Sequence, residues 1–196
     1  SDQENARAQY MLGQSYYNGF GVKEDKKQAV KYYKLAAAQG DDDAQYKLGH
    51  SYYHGHGVKE NKKQAFKYFK LASDQDHEEA QYMLGESYYY GGGVKEDKKQ
   101  AVKYYKLAAA QGDEDAHYSL GHCYYFGHGV KEDDKQAFKY FKLASDQDHA
   151  RAQYRLGNCY YHSFGVKEDK KQAVKYYKLA ADQGDEEAQY MLGRSY

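Results

Sequence analysis

The chain has 196 residues, and 29 Lys and Arg residues balance 29 Asp and Glu residues, so the formal net charge is zero. Binding to polyanions by counterion release needs a basic excess, so this balance argues against a nucleic-acid partner. No apolar run approaches the roughly 18 residues of a membrane-spanning helix, and two cysteines are too few for a disulfide-stapled scaffold. We therefore expect a soluble protein, with no indication of where it resides.

An internal repeat with a period of 36 residues dominates the sequence. Its alanine recurs as Ala8, Ala44, Ala80, Ala116, Ala152 and Ala188, and its Leu-Gly pair recurs from Leu12-Gly13 to Leu192-Gly193. A longer period of 72 alternates Val30 and Tyr33 with Phe66 and Phe69. Periods of 20–50 residues are typical of solenoids, in which each short unit packs only against its neighbours.

Each repeat is predicted to begin with a helix. Ala8, Leu12 and Tyr16 have the i, i+4, i+8 spacing of an apolar helical stripe. Gly13 lies inside this helix, where glycine costs about 1 kcal/mol relative to alanine. Its recurrence in every copy predicts a close approach of the second helix. Gly19 is expected to end the first helix in a left-handed cap.

A second helix follows the glycine-containing loop in each repeat. Asp25-x-x-Gln28 is a start signal of the capping-box type, and Ala29, Tyr32, Tyr33 and Ala36 form the next apolar stripe. Gly40 ends this helix, and the acidic residues Asp41 to Asp43 suit the N-terminus of the next one. Where Ser163, Asp76 and Asp148 replace turn glycines, we expect altered turn geometry.

The combined pattern resembles the Sel-one-like repeat family, a relative of the tetratricopeptide repeats. It runs Ala-x-x-x-Leu-Gly-x-x-Tyr-x-x-Gly-x-Gly-Val, and then Ala-x-x-Tyr-Tyr-x-x-Ala-Ala-x-x-Gly. The resemblance implies an all-α, right-handed α-solenoid of about five and a half helix-turn-helix repeats. We expect a single array over 1-196, with repeats starting near 5, 41, 77, 113, 149 and 185.

The array is expected to be truncated mid-repeat at both ends. Ser1-Asp2-Gln3 matches the tail of a second helix, and Tyr196 falls inside a first helix. Solenoids normally carry polar capping repeats. We therefore expect exposed apolar ends and self-association by end-to-end stacking.

The positions that vary between copies lie on one side of the first helix, away from the Ala-Leu-Tyr stripe. Two constant tyrosine columns flank them, and the resemblance implies that this face lines a concave groove. Tyrosine suits recognition because it offers a large ring and a polar tip at low entropy cost. Packing of the rings between first helices, and drift on a solvated face, are the alternatives. The candidate partner-binding residues are Met11, Gln14, Tyr17, Asn18, Tyr46, Lys47, His50, Tyr53, His54, Tyr82, Met83, Glu86, Tyr89, Tyr90, Tyr118, His122, Tyr125, Phe126, Tyr154, Arg155, Asn158, Tyr161 and His162.

Other chemistry is weakly indicated. His50 and His54 have the i, i+4 spacing of a chelating pair, but the signature zinc patterns do not occur and the pair does not recur. Cys123 and Cys159 are interpreted as free thiols one repeat apart. Lys27, Lys31 and Lys34 are interpreted as a solvated face. We therefore predict neither a metal, a cofactor nor a catalytic residue.

The leading hypothesis is a non-catalytic adaptor, or scaffold, that binds a peptide or protein segment on its concave first-helix face. The alternative is a structural array, of natural or engineered origin, whose main property is self-stacking.

Overall fold

The structure, a computed structural model, describes residues 2–194, with side chains from Glu4 onward. Every regular element in that range is a helix, and residues 2–194 contain no strand. The helices are α1 (Asp2–Asn18), α2 (Lys26–Ala38), α3 (Asp42–His54), α4 (Lys62–Ser73), α5 (Glu78–Tyr90), α6 (Lys98–Gln111), α7 (Glu114–Phe126), α8 (Asp134–Ser145), α9 (Ala150–His162), α10 (Lys170–Asp182) and α11 (Glu186–Gly193). Odd-numbered helices are the first helices of their repeats, and even-numbered helices are the second.

The helices fall into two compact units, residues 1–104 and 105–196, divided inside α6. In the first unit each helix from α1 to α4 packs against the next one in sequence. In the second unit the same holds from α7 to α10. The predicted helix-turn-helix repeat is therefore confirmed in both units.

The predicted apolar stripes form the core. Leu48 and Leu84, like Ala44, are completely buried, and so is Ala29 of the second-helix stripe. The copy at the start of the chain differs, because Ala8 is exposed and Leu12 is 36% exposed. The alanine and leucine of the stripe are thus completely buried in α3, α5, α7 and α9, while in α11 Ala188 is buried and Leu192 is half-buried.

The glycines inside α1, α3, α7 and α9 mark the close approach that their recurrence predicts, whereas no described residue lies within 4 Å of a Cβ added at Gly193 in α11. A Cβ atom added to Gly49 would lie 2.7 Å from Cδ1 of Phe69 and 3.3 Å from the carbonyl oxygen of Ala65. The same addition at Gly157 would place Cβ 2.5 Å from Cε1 of Tyr177. Glycine therefore lets the aromatic ring of the second helix lie directly against the backbone of the first.

The second helices begin with the predicted side-chain cap. The Asp25 carboxylate accepts hydrogen bonds from the backbone N–H groups of Lys27 (2.9 Å) and Gln28 (3.0 Å). The backbone N–H of Asp25 donates to the carbonyl oxygen of Tyr16 at 2.8 Å, so a main-chain bond takes the place of the reciprocal bond of a full capping box. This bond ties the start of the second helix to the last turn of the first.

The turns without glycine keep the left-handed conformation, so the expectation of altered geometry is largely wrong. Ser163 has φ 62° and ψ 32°, close to the φ 72° and ψ 24° of Gly55 in the equivalent cap. Asp76 and Asp148 have φ 63° and 64°, compared with 93° at Gly40. The surrounding helix-end hydrogen bonds therefore impose a positive φ even on residues with a Cβ.

Candidate functional site

The structure places the candidate partner-binding residues on the first helices, and none of them is fully buried. The repeat position nearest the end of the first helix is the most exposed to solvent, with Tyr90 71% and Phe126 46% exposed. The exposed members are Met11, Asn18, His54, Tyr90, Phe126 and His162. The half-buried members are Gln14, Tyr17, Tyr46, Lys47, His50, Tyr53, Tyr82, Met83, Glu86, Tyr89, Tyr118, His122, Tyr125, Tyr154, Arg155, Asn158 and Tyr161.

Several half-buried members contribute to the core, namely Tyr17, Tyr46, Tyr53, Met83, Tyr118, Tyr125, Tyr154 and Tyr161. Met83 packs against a cluster of Ala65, Phe69 and Leu84. Variation alone therefore does not separate surface from packing in this column.

One constant tyrosine position contacts the loop of the following repeat. It holds Tyr17, Tyr53, Tyr89, Tyr125 and Tyr161 in successive repeats. The Tyr17 hydroxyl lies 2.9 Å from Nδ1 of His56, and the Tyr125 ring meets Phe164 edge-on at 5.4 Å. The first lysine of the second helix also approaches these rings, as Lys98 does over Tyr89 at 4.8 Å. These tyrosines therefore support the stacking of repeats and remain half-buried.

The column of Tyr46 and Tyr118 stacks on histidines that cap the next first helix. The ring centroids of Tyr118 and His149 lie 4.7 Å apart, at an interplanar angle of 18°. His149 accepts the backbone N–H of Ala152 through Nδ1 at 3.1 Å, and its Nε2 lies 3.2 Å from Asp115. That hydrogen bond lowers the pKa of the Asp115 carboxyl. Sequence reasoning missed these caps, although His77 and His149 occupy the cap position that Asp41 fills in another repeat.

One variable position of the first helices holds Gln14, His50, Glu86, His122, Asn158 and Arg194 in successive repeats. In two repeats its side chain forms a hydrogen bond with a buried tyrosine of the second helix. The Tyr33 hydroxyl donates to Oε1 of Gln14 at 3.2 Å, and the Tyr177 hydroxyl donates to Oδ1 of Asn158 at 2.8 Å. Burial raises the pKa of both tyrosines. Histidine replaces the amide at His50, in the repeat where Phe69 replaces tyrosine. The long 72-residue period therefore includes a matched pair of positions, and this column contributes to the packing of the second helices.

Three histidine rings meet in the second repeat. The centroids of His50 and His54 lie 4.4 Å apart, and those of His54 and His56 lie 5.4 Å apart. Burial, with the nearby His54 and Lys47, lowers the pKa of His50 to about 4. Within the described part of the chain, however, no group of three or more His, Cys, Asp or Glu residues has an arrangement that could hold a metal ion.

The two cysteines are free and buried. Cys123 is completely enclosed, and burial raises the pKa of the Cys159 thiol to about 12. A neutral buried thiol is a poor nucleophile. Both therefore act as small apolar core residues, as their interpretation as free thiols implies.

The second unit contains a cleft of about 660 Å³ beside α9 and α11. Six of the candidate residues line it, namely Tyr125, Tyr154, Arg155, Asn158, Tyr161 and His162. Phe164, Lys170, Val174, Met191, Arg194 and Cys159 complete the lining. These additional residues are not among the candidates predicted from the sequence. Arg194 had a usable signal, because it occupies the same variable column as Asn158.

The opposite face, on the second helices, carries exposed leucines that sequence reasoning did not single out. Leu35 is 45% exposed and Leu107 is 42% exposed, and lysines such as Lys31 and Lys34 are exposed nearby.

Two terminal residues lie outside the described residues, namely Ser1 and Tyr196, which continues the first-helix tyrosine pattern. Within residues 2–194, no helix has the length and apolar character needed to cross a bilayer.

The sequence matches the family model of the Sel1 repeat at residues 6–41, 42–77, 78–113, 114–149, 150–185 and 186–196. No curated protein sequence matches the chain.

Solved structures extend this similarity to the fold. The protective antigen c5321 of uropathogenic Escherichia coli, which displays an SLR fold, is 36% identical with a TM-score of 0.93, over 98% of this chain and 41% of that one. A Sel1 repeat protein from Oxalobacter formigenes is 34% identical with a TM-score of 0.91, over 97% of this chain and 76% of that one. Helicobacter pylori cysteine rich protein B is 26% identical with a TM-score of 0.55, over 69% of this chain and 97% of that one. This chain thus spans less than half the length of the E. coli protein. The predicted all-α solenoid class is confirmed.

Proposed function

Because the chain belongs to the Sel1 repeat family, whose members are generally non-catalytic scaffolds for protein interactions, we propose that it is an adaptor. It binds a peptide or protein segment on the concave face formed by its first helices. The observation that carries this proposal is the cleft beside α9 and α11, because six of its lining side chains belong to the sequence-derived face.

The chemistry of this face supports peptide recognition. Half-buried tyrosines present ring surface and a hydroxyl group at low entropy cost. Their contacts with the next loop, such as the edge-on contact of Tyr125 with Phe164, hold the rings in place before a partner arrives. Pre-ordered aromatic side chains lose less entropy on binding than mobile ones, so they suit a recognition surface.

A random peptide library displayed on phage tests the proposal, because such a selection does not require an identified partner. Selected peptides should bind the parent protein and lose affinity for a Phe126→Ala variant. Leu107→Ala is the matched control, because Leu107 is 42% exposed on a second helix and Phe126 is 46% exposed on a first helix. Equal losses in the two variants, or a larger loss for Leu107→Ala, would count against the first-helix face.

Self-association is the second candidate. Leu12 is 36% exposed although its equivalents Leu48 and Leu84 are completely buried, and Tyr190 is 65% exposed. Such apolar side chains can be covered by a second copy. Light scattering over a dilution series tests this, and a monomer mass at every concentration would exclude it.

A further inference from the structure

The cleft beside α9 and α11 carries a local positive charge in a chain that has none overall. Arg155, Lys170 and Arg194 line it, and among the described lining residues there is no carboxylate. The chain as a whole has equal numbers of basic and acidic residues. The charge is therefore a property of this cleft.

The two arginines are particular to this site in sequence. The column of Arg155 carries Met11, Lys47, Met83, Ser119 and Met191 in the other repeats. The column of Arg194 carries Gln14, His50, Glu86, His122 and Asn158. Only here does the sequence place arginine in both columns of consecutive first helices, so no other pair of repeats is expected to attract an anion in this way.

The cations are held beside aromatic rings. The guanidinium carbon of Arg155 lies 5.8 Å from the ring centroid of Tyr154, and that of Arg194 lies 5.7 Å from Tyr190. Lys170 lies 6.0 Å from the Tyr161 ring and 3.7 Å from the exposed Glu168 carboxylate. The ring contacts do not neutralise the charge of the cations. Lys170 has the Glu168 carboxylate nearby, and the Asp134 carboxylate acts on Tyr125 and Cys159 of the lining.

The rest of the lining is apolar or donates hydrogen bonds. Phe164, Val174 and Met191 supply apolar surface next to the tyrosine rings. Asn158 uses Oδ1 to accept the Tyr177 hydroxyl at 2.8 Å, which leaves its Nδ2 as a hydrogen-bond donor for a ligand. The volume lies in the range of about 300–1,000 Å³ that is usual for ligand sites.

We propose that this cleft binds an acidic peptide segment in which a Glu or Asp side chain neighbours a bulky apolar side chain. The carboxylate pairs with Arg155 and Arg194 in the planar, bidentate geometry that guanidinium favours. The apolar side chain covers the tyrosines, Phe164 and Met191. Binding to nucleic acid is disfavoured, since a single cationic cleft on a neutral chain lacks the extended basic surface that a polyanion requires. The inference rests on the proposed function and names the partner's chemistry.

Fluorescence anisotropy with labelled peptides tests the proposal on the full chain. The probes are GSEFEGS, its uncharged counterpart GSQFQGS, its smaller counterpart GSEAEGS, and a form in which phosphoserine replaces each glutamate. GSEFEGS is expected to bind at least about tenfold more tightly than GSQFQGS, a difference of about 1.4 kcal/mol. Its affinity should fall at raised ionic strength, because screening weakens exposed charge pairs.

The variants come from the other repeats, so they are compatible with the fold. Arg155→Met and Arg194→Gln introduce residues already present in the same columns, at Met83 and Gln14. Each should remove most of the preference for GSEFEGS over GSQFQGS. The matched control is Arg151→Gln, which removes one positive charge from the exposed start of α9, outside the cleft lining, and should leave the preference unchanged.

Several results would overturn the proposal. These are equal binding of the acidic and uncharged peptides, equal weakening of both by Arg155→Met, equal binding of GSEAEGS and GSEFEGS, or binding of the phosphorylated peptide alone. The library selection separates this inference from the proposed function. If Phe126-dependent peptides are selected without acidic residues, the adaptor function stands and the acidic specificity fails. If no peptide binds, both fail.

Discussion

Replacing the glycine inside a first helix tests the central packing arrangement of the repeat. In Gly49→Ala, the new Cβ would lie 2.7 Å from Cδ1 of Phe69, where ordinary contacts begin near 3.4 Å. Phe69 is completely buried, so its ring has no solvent-filled space into which it can move. The carbonyl oxygen of Ala65, at 3.3 Å, also opposes the added atom. The second helix must therefore shift away from the first by several tenths of an ångström.

The expected loss of stability follows from two opposing effects. Overpacking a well-filled core costs about 1–3 kcal/mol. Alanine gains up to about 1 kcal/mol over glycine as a helix former. Because the 2.7 Å approach is severe, we take the upper part of the overpacking range, about 2–3 kcal/mol, and expect Gly49→Ala to lower the free energy of unfolding by about 1–2 kcal/mol.

Gly193→Ala is the matched control, because Gly193 is the same position of the repeat but none of the described residues lies within 4 Å of its added Cβ. This change should be neutral or slightly stabilising. Urea denaturation followed by far-ultraviolet circular dichroism measures both variants. A Gly49→Ala protein as stable as the parent would refute the reasoning, as would equal effects at the two positions. Phe69→Leu in the Gly49→Ala background should recover part of the loss, since it removes the opposing ring.

Three further predictions concern the Ser163 turn, the His50 side chain and the buried thiols. Ser163→Gly should raise the free energy of unfolding by about 0.5–1 kcal/mol, because glycine adopts the φ of 62° at this cap without Cβ strain; an unchanged denaturation midpoint would contradict this. Burial lowers the pKa of His50 to about 4 from 6.5, so the unfolded state binds more protons between these values and stability falls as the pH falls through that window. His50→Asn should remove about 1–2 kcal/mol of this acid destabilisation, allowing for solvent screening, and a pH profile of stability identical to that of the parent would count against it. In a Cys159→Ser background, which removes the thiol that lines the cleft, Cys123 should react with a thiol-specific chromogenic reagent only on unfolding, since it is completely buried; rapid labelling of the native protein would disprove its enclosure.

The sequence predicted the repeat unit well, because that unit is held by local and nearest-neighbour interactions. Helical spacing predicted the Ala44 and Leu48 stripe, and the recurring Gly49 predicted a close second helix before its contact with Phe69 was known. Asp25 was recognised as a cap from three-residue spacing alone. Each of these predictions depends only on contacts within one repeat or with the next repeat. A fixed period reveals the positions that make such contacts, because they recur in every copy.

The candidate site was less predictable, because side chains from different helices converge there. The variation of Arg155 and Asn158 predicts an accessible helix face, but both side chains are half-buried. Their grouping with Lys170, Phe164 and Arg194 depends on distances between α9, its loop, α10 and α11. Likewise, variation could not reveal that Asn158 accepts the Tyr177 hydroxyl, since a position can vary because its buried partner varies with it.

Periodicity by itself therefore determined the helices, their turns and the identity of the buried stripes, because these depend on spacing along one chain segment. Packing between successive repeats decided which side chains form a cleft, which tyrosines are held by the next loop and where Arg155, Lys170 and Arg194 come together. Those properties depend on how far one helix lies from another, and a linear pattern does not contain that distance.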